Sequence, residues 1–92
     1  MQNKEDISKR VHDALAFMQL PVLVSYEDIK KRYRELSKKY HPDFNQQEDK
    51  MRKLNEAYAL LKNYIFHYRF SFSDEEIQKQ YPENGHGRKF RI

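Results

Sequence analysis

The chain has 92 residues, which is enough for one small domain and too few for two. It contains no Cys, so a disulfide framework and a thiolate zinc site are both excluded. Only two Gly and three Pro occur, which disfavours a many-stranded sandwich or barrel and favours a few helices. The formal net charge is +4, which allows an acidic partner without identifying one.

The sequence predicts neither a signal peptide nor a membrane span. The first six residues, Met-Gln-Asn-Lys-Glu-Asp, are polar, and no stretch approaches the roughly 18 apolar residues of a spanning helix. We therefore expect a cytosolic protein with no membrane partner.

The first predicted helix carries one apolar stripe with the spacing of a buried helical face. Its members are Ile7, Val11, Ala14, Leu15 and Met18. Pro21 and the β-branched residues around it are expected to end this helix.

The second predicted helix begins after Ser25, a favourable N-cap, and Asp28 supplies a weaker form of the capping box. Pro42 ends it, because proline biases the preceding residue away from the α region. Its stripe has the most regular period in the sequence and comprises Ile29, Tyr33, Leu36 and Tyr40. We expect the rings of Tyr33 and Tyr40 in the core and their hydroxyls in water.

A polar link over residues 43–46 leads to the third predicted helix, whose start Asn45 and Glu48 can cap. Residues 64–72 alternate as a strand would, but a lone strand leaves its backbone groups unpaired, so we favour a helix that continues to about His67. The apolar seam of this helix comprises Met51, Leu54, Tyr58, Leu61, Ile65 and Tyr68.

A last short helix is predicted after the capping box Ser73-Asp-Glu-Glu76, and it ends at Pro82. Ile77 and Tyr81 are its apolar residues. We predict one helical domain over residues 1–82 and a flexible basic tail over residues 83–92.

The outer face of the second helix is basic. Between Ser25 and His41, six basic residues stand against three acidic ones, a local net charge of +3. The basic residues are Lys30, Lys31, Arg32, Arg34, Lys38 and Lys39. Such a face is compatible with simple solvation, and also with nucleic acid, anionic lipid or an acidic protein groove.

The sequence Tyr40-His-Pro-Asp43 lies in the link between two amphipathic helices, where side chains project from one end of a helical hairpin. Taken alone, His41 also suits a helix C-terminus, and Pro42 also suits a simple helix stop. Asp43 and Asn45 also suit a turn followed by an N-cap.

The chain resembles the J-domain of DnaJ-type co-chaperones over about residues 13–61. The resemblance rests on Leu20-Pro21, on Ile29-Lys-Lys-Arg-Tyr-Arg-Glu-Leu-Ser-Lys-Lys-Tyr-His-Pro-Asp43 and on Leu54-Asn-Glu-Ala-Tyr-Ala-Leu-Leu61. It implies an all-α fold, with the second and third helices as an antiparallel hairpin between a leading and a short trailing helix. The positions that match the family's core are Ile29, Leu36, Tyr40, Leu54, Ala57, Tyr58 and Leu61.

The resemblance also implies a function: docking on an ATP-bound DnaK-type heat-shock chaperone and stimulation of its ATP hydrolysis. The family's loop motif falls on His41, Pro42 and Asp43. Its basic contact face falls on Lys30, Tyr33, Arg34 and Lys39, and Asn45 and Arg52 also match beyond the loop. Glu35 departs from the pattern, since many members carry another basic residue there, and residues 63–73 replace the family's usual link to the fourth helix.

Other functions are less well supported by the residues. The chain has no Cys, and no adjacent hydroxyl nucleophile completes a triad with His41 and Asp43, so we expect no enzyme and no cofactor. The four histidines, His12, His41, His67 and His86, show no ligand spacing, so we expect no metal. The alternatives kept open are a small basic nucleic-acid-binding module and an adaptor whose exposed aromatics are Phe66, Phe70, Phe72 and Phe90.

Overall fold

The computed structural model describes residues 4–41 and 48–82. Within these ranges the chain forms four helices and no strand: α1 (Lys4–Phe17), α2 (Tyr26–Lys39), α3 (Glu48–Phe66) and α4 (Asp74–Gln80). The predicted all-α class is confirmed. The predicted tail, residues 83–92, lies outside the described residues, so the proposed boundary after residue 82 stays a prediction.

The first helix ends in a left-handed turn before it reaches Pro21. Gln19 has a φ of 58°, its N–H donates to the Ala16 carbonyl (3.0 Å), and the Leu20 N–H donates to the Leu15 carbonyl (2.9 Å). This pair of hydrogen bonds is the Schellman motif, which satisfies the last carbonyls of a helix. Pro21 therefore follows a completed helix end, and the prediction that it causes the end was wrong.

The capping boxes form in the opposite order of strength from the predicted one. At Ser25 both halves are present: the Asp28 N–H donates to Ser25 Oγ (3.1 Å), and the Ser25 N–H donates to Asp28 Oδ2 (3.4 Å). At Ser73 the Oγ accepts from the Glu76 N–H (3.2 Å), but the Ser73 N–H donates to Ser71 Oγ (3.3 Å). A nearby serine thus takes the place of the Glu76 carboxylate.

The core lies where α3 packs against both α1 and α2. Met18 and Leu54 are fully buried at its centre. The remaining buried residues are Ala14, Ile29, Leu36, Tyr40, Ala57 and Leu61. All seven positions matched to the family's core lie in this set except Tyr58, which is half-buried against it.

Two predicted core residues lie outside the core. Ile7 is 41% exposed, because only the second half of α1 is buried against its neighbours. Tyr68 is 50% exposed and follows the end of α3 at Phe66. The helical interpretation of this region is confirmed, since α3 ends one residue before the predicted position.

Contacts along α2 and α3 show that the two helices are antiparallel. The Tyr33 hydroxyl donates to Asn55 Oδ1 near the middle of the pair (2.8 Å). The Tyr26 ring at the start of α2 meets the Phe66 ring at the end of α3, with centroids 5.2 Å apart. The C-terminus of α2 and the N-terminus of α3 therefore lie at the same end of this hairpin.

Candidate partner-docking surface

The predicted loop motif begins at His41, the last described residue after α2. α2 ends at Lys39, with Tyr40 as its C-cap, and the Tyr40 N–H donates to the Leu36 carbonyl (2.9 Å). His41 follows and is exposed. Pro42, Asp43 and Asn45 lie outside the described residues, and their predicted roles stay predictions.

Lys30 is held close to its own helix. Its Nζ lies 3.4 Å from Glu27 Oε2, and it stands 5.2 Å from the centroid of the Tyr26 ring. The side chain is 35% exposed. An ion pair and a cation–π contact both compete with any external partner, so Lys30 presents less free charge than the sequence suggests.

Three other cations of α2 are more accessible. Lys31, Arg34 and Lys38 are exposed, and none of them makes a hydrogen bond or an ion pair with another residue of the described ranges. Their spacing of i, i+3 and i+7 places them along one side of the helix. We call these three residues the outer basic stripe. Only Arg34 among them was singled out by the family resemblance.

Glu35 does not cancel this stripe. Its Oε1 lies 3.0 Å from Arg32 Nη1, in an ion pair within α2. The acidic departure from the family pattern is thus matched by a basic neighbour. The net charge of the stripe residues is left intact.

Tyr33 fastens α2 to α3. Its ring stacks on the Tyr58 ring with centroids 4.3 Å apart and an interplanar angle of 19°. Its hydroxyl donates to Asn55 at an exposed position, a partner that the sequence did not predict. Tyr33 is half-buried, and any partner would meet the part of the side chain that this bond leaves accessible.

Lys39 points away from Lys30. The two residues are nine positions apart in the helix, which is a rotation of about 180° around the axis. Lys39 stands 5.6 Å from the centroid of the Tyr40 ring, and Lys50 of α3 stands 5.7 Å from the same ring. The structure therefore gathers Lys30, Tyr33 and Arg34 on one side of α2 and puts Lys39 at the end next to His41.

Arg52 forms ion pairs with two acidic residues of its own helix. Its Nη2 lies 3.0 Å from Asp49 Oδ1, and its Nη1 lies 4.0 Å from Glu56 Oε2. The side chain is 63% exposed. Such surface pairs are weak, so Arg52 can exchange them for an external carboxylate at low cost.

A pair of tyrosine hydroxyls joins the two helices near Tyr33. Tyr26 and Tyr58 have hydroxyls 3.2 Å apart. This hydrogen bond, with burial as a smaller cause, raises the pKa of Tyr58 to about 12. The sequence did not assign roles to Tyr26 or Asn55. In the sequence, each of these two residues is only a polar group next to an apolar seam, and this position does not identify its hydrogen-bond partner.

The described residues contain no group of three or more His, Asp or Glu side chains that could hold a metal ion. None of their helices is long and apolar enough to cross a bilayer.

The chain matches known proteins over the region that contains the hairpin. Residues 13–64 match the DnaJ domain family. The chain is 42% identical over 77 residues to the chaperone protein DnaJ of Methanosarcina acetivorans, which covers 80% of this chain and 17% of that protein. It is 43% identical over 65 residues to the chaperone protein DnaJ of Staphylococcus carnosus, which covers 67% of this chain and 14% of that protein.

The chain thus spans about one sixth of the length of these curated relatives. No solved structure matches it significantly. The family match covers 52 of 92 residues, counted from 13 to 64 inclusive. Together with the helical hairpin and the motifs within it, this match shows that the chain belongs to the DnaJ domain family.

Proposed function

We propose that this chain is a co-chaperone that docks on an ATP-bound DnaK-type heat-shock chaperone and stimulates its ATP hydrolysis. The observation that carries the proposal is the outer basic stripe of Lys31, Arg34 and Lys38. In a member of the DnaJ domain family, this stripe lies on the helix that leads directly into His41-Pro42-Asp43. We expect the cytosol as the site of this activity.

The basic helix would act first, during encounter. Complementary charge speeds association and fixes orientation more than it strengthens the final complex. Because the stripe residues are exposed, salt screens them strongly over distances beyond about 10 Å. The association rate should therefore fall with ionic strength, while the loop motif decides what happens after contact.

The loop would supply the specific contact. Pro42 restricts its own φ, which lowers the conformational entropy lost when the loop binds. The Asp43 carboxylate accepts hydrogen bonds only, and it suits a guanidinium group of the partner in a charge-assisted pair. Hydrolysis accelerates if this pair is stronger in the hydrolysis-ready conformation of the partner than in its resting conformation. The bond that breaks lies in the partner's ATP.

A single-turnover measurement of ATP hydrolysis by a DnaK-type chaperone tests this proposal. The wild-type chain should accelerate hydrolysis, and Asp43→Asn or His41→Gln should abolish the acceleration with unchanged helicity. Asp74→Asn is the matched control, because it makes the same chemical change at an exposed residue of α4. Full stimulation by Asp43→Asn would contradict the proposal.

Charge reversal on α2 separates encounter from stimulation. Arg34→Glu should slow association at low salt. The difference from the wild type should largely disappear at high salt, because salt then screens the charge of residue 34 in both proteins. Lys62→Glu, a reversal at an exposed residue of α3, should change the association rate much less. Equal effects of the two variants would contradict a directed role for the stripe.

The same stripe also supports nucleic-acid binding as a second candidate function. If its three cations contact phosphates, the logarithm of the binding constant should fall against the logarithm of salt with a slope of about −2.7. A mobility-shift titration over a salt series measures this slope. The absence of binding at low salt would remove this candidate.

A further inference from the structure

An open apolar groove of about 1120 Å³ lies between α4 and the two segments that flank the hairpin. Its apolar lining comes from three parts of the chain: Val22, Leu23, Phe70, Phe72, Ile77 and Tyr81. Leu23 is 90% exposed and Phe72 is 81% exposed. Contiguous apolar surface of this kind on a small protein marks a binding site more often than chance exposure does.

The groove lies away from the proposed chaperone contact. Its walls include the link before α2 and the segment after α3, and these two helix ends meet at the Tyr26–Phe66 contact. His41 lies at the other end of the same hairpin. A chaperone bound at His41 would therefore leave the groove uncovered, and the groove needs a different ligand.

We propose that residues 83–92 of this same chain bind in the groove. Tyr81 lines it, and Pro82 is the next residue, so the segment starts at the groove's edge. Phe90 is eight residues beyond Pro82, a distance that an extended chain spans with up to about 26 Å. A segment attached through so short a connection has an effective concentration in the millimolar range, which favours it over a separate molecule.

The chemistry of the segment fits the groove. Phe90 and Ile92 are two residues apart, so in an extended conformation both would face the apolar lining. Two charged residues line the groove, Arg69 and Glu76, and Glu76 pairs with Lys79 at 3.7 Å. The fit therefore rests on the apolar residues and not on charge.

The absence of Trp from the chain makes a single introduced tryptophan a specific probe. In the full chain, Phe90→Trp should show blue-shifted emission and severalfold weaker quenching by acrylamide than Gly87→Trp, the matched control in the same segment. Equal quenching of the two tryptophans would overturn the proposal.

Groove variants complete the test. Adding Leu23→Asp or Ile77→Asp to the Phe90→Trp chain should return its emission to that of a solvent-exposed tryptophan. Both residues are exposed, so unchanged helicity by circular dichroism is expected to accompany this shift. Emission that stays blue-shifted in both groove variants would overturn the proposal. A blue shift that disappears on dilution would also overturn it, because it would assign the groove to a second copy of the chain.

Discussion

The bond between the Tyr33 hydroxyl and Asn55 should contribute measurably to the stability of the α2–α3 hairpin. The hydroxyl donates to Asn55 Oδ1 at 2.8 Å, from a ring that also stacks on Tyr58. Tyr33→Phe removes the bond and keeps the ring. A net intramolecular hydrogen bond is worth about 0.5–1.5 kcal/mol, and since Asn55 is exposed we expect the lower half of that range.

A double-mutant cycle isolates this term. Tyr33→Phe, Asn55→Ala and the double variant are compared by urea denaturation followed by circular dichroism, and the coupling free energy should be about 0.5–1 kcal/mol. In a domain of this size each kcal/mol moves Tm by about 4–8 °C. Tyr64→Phe, at an exposed tyrosine of α3, is the control and should change little. Single effects that add within about 0.3 kcal/mol would refute the reasoning.

Three further predictions concern the core, the tyrosine pair and the helix caps. Leu54→Ala should lower the free energy of unfolding by about 2–5 kcal/mol, because Leu54 is fully buried; the exposed Lys53→Ala should change it by less than about 0.5 kcal/mol, and equal losses in denaturant titrations would contradict the assigned core. The raised pKa of Tyr58 means that the folded chain holds this proton to higher pH than the unfolded chain does. The contribution of Tyr58 to the free energy of unfolding should thus be constant below pH 10 and should fall from pH 10 towards 12. The free energy of unfolding should therefore fall more steeply with pH in the wild type than in Tyr58→Phe over this range, and equal pH dependence in the two proteins would refute the assignment. Ser25→Ala should cost about 0.5–2 kcal/mol, while Ser73→Ala should reduce helicity with little change in global unfolding, because α4 buries none of its residues; a larger global loss at Ser73 would show that α4 is more firmly packed.

The helical fold was predictable because its main signal is local and periodic. The spacing of Ile29, Leu36 and Tyr40 identifies the buried face of α2 from sequence alone. The exposure of Ile7 was not predictable, because a continuous stripe does not indicate how far along the helix its neighbours extend. Periodicity reveals which side of a helix is apolar, but the length of contact is a property of the packed chain.

Side-chain partners set the limit of prediction at the site. The sequence identified α2 as basic, but it did not distinguish Lys30, which is held by Glu27 and Tyr26, from Lys31, which is exposed. That difference depends on rotamers. It determines which cations are available to a partner, and these are the residues of the outer basic stripe more than Lys30.

The same limit applies to the caps. Ser73 and Glu76 have the favoured residue types for a reciprocal box, yet Ser71 supplies the acceptor for the Ser73 N–H. Ser25 and Asp28 form the full box with a shorter acid. A capping signature identifies the start of a helix reliably, but competing hydroxyls nearby decide which bonds form.

The most direct measurement is the rate of a single ATP turnover by a DnaK-type chaperone as a function of the concentration of this chain. A preformed chaperone–ATP complex is mixed with increasing amounts of the wild-type chain, and release of phosphate is followed. The proposed docking predicts a rate that rises with concentration and saturates. A rate that stays at the basal value across the whole range would contradict it.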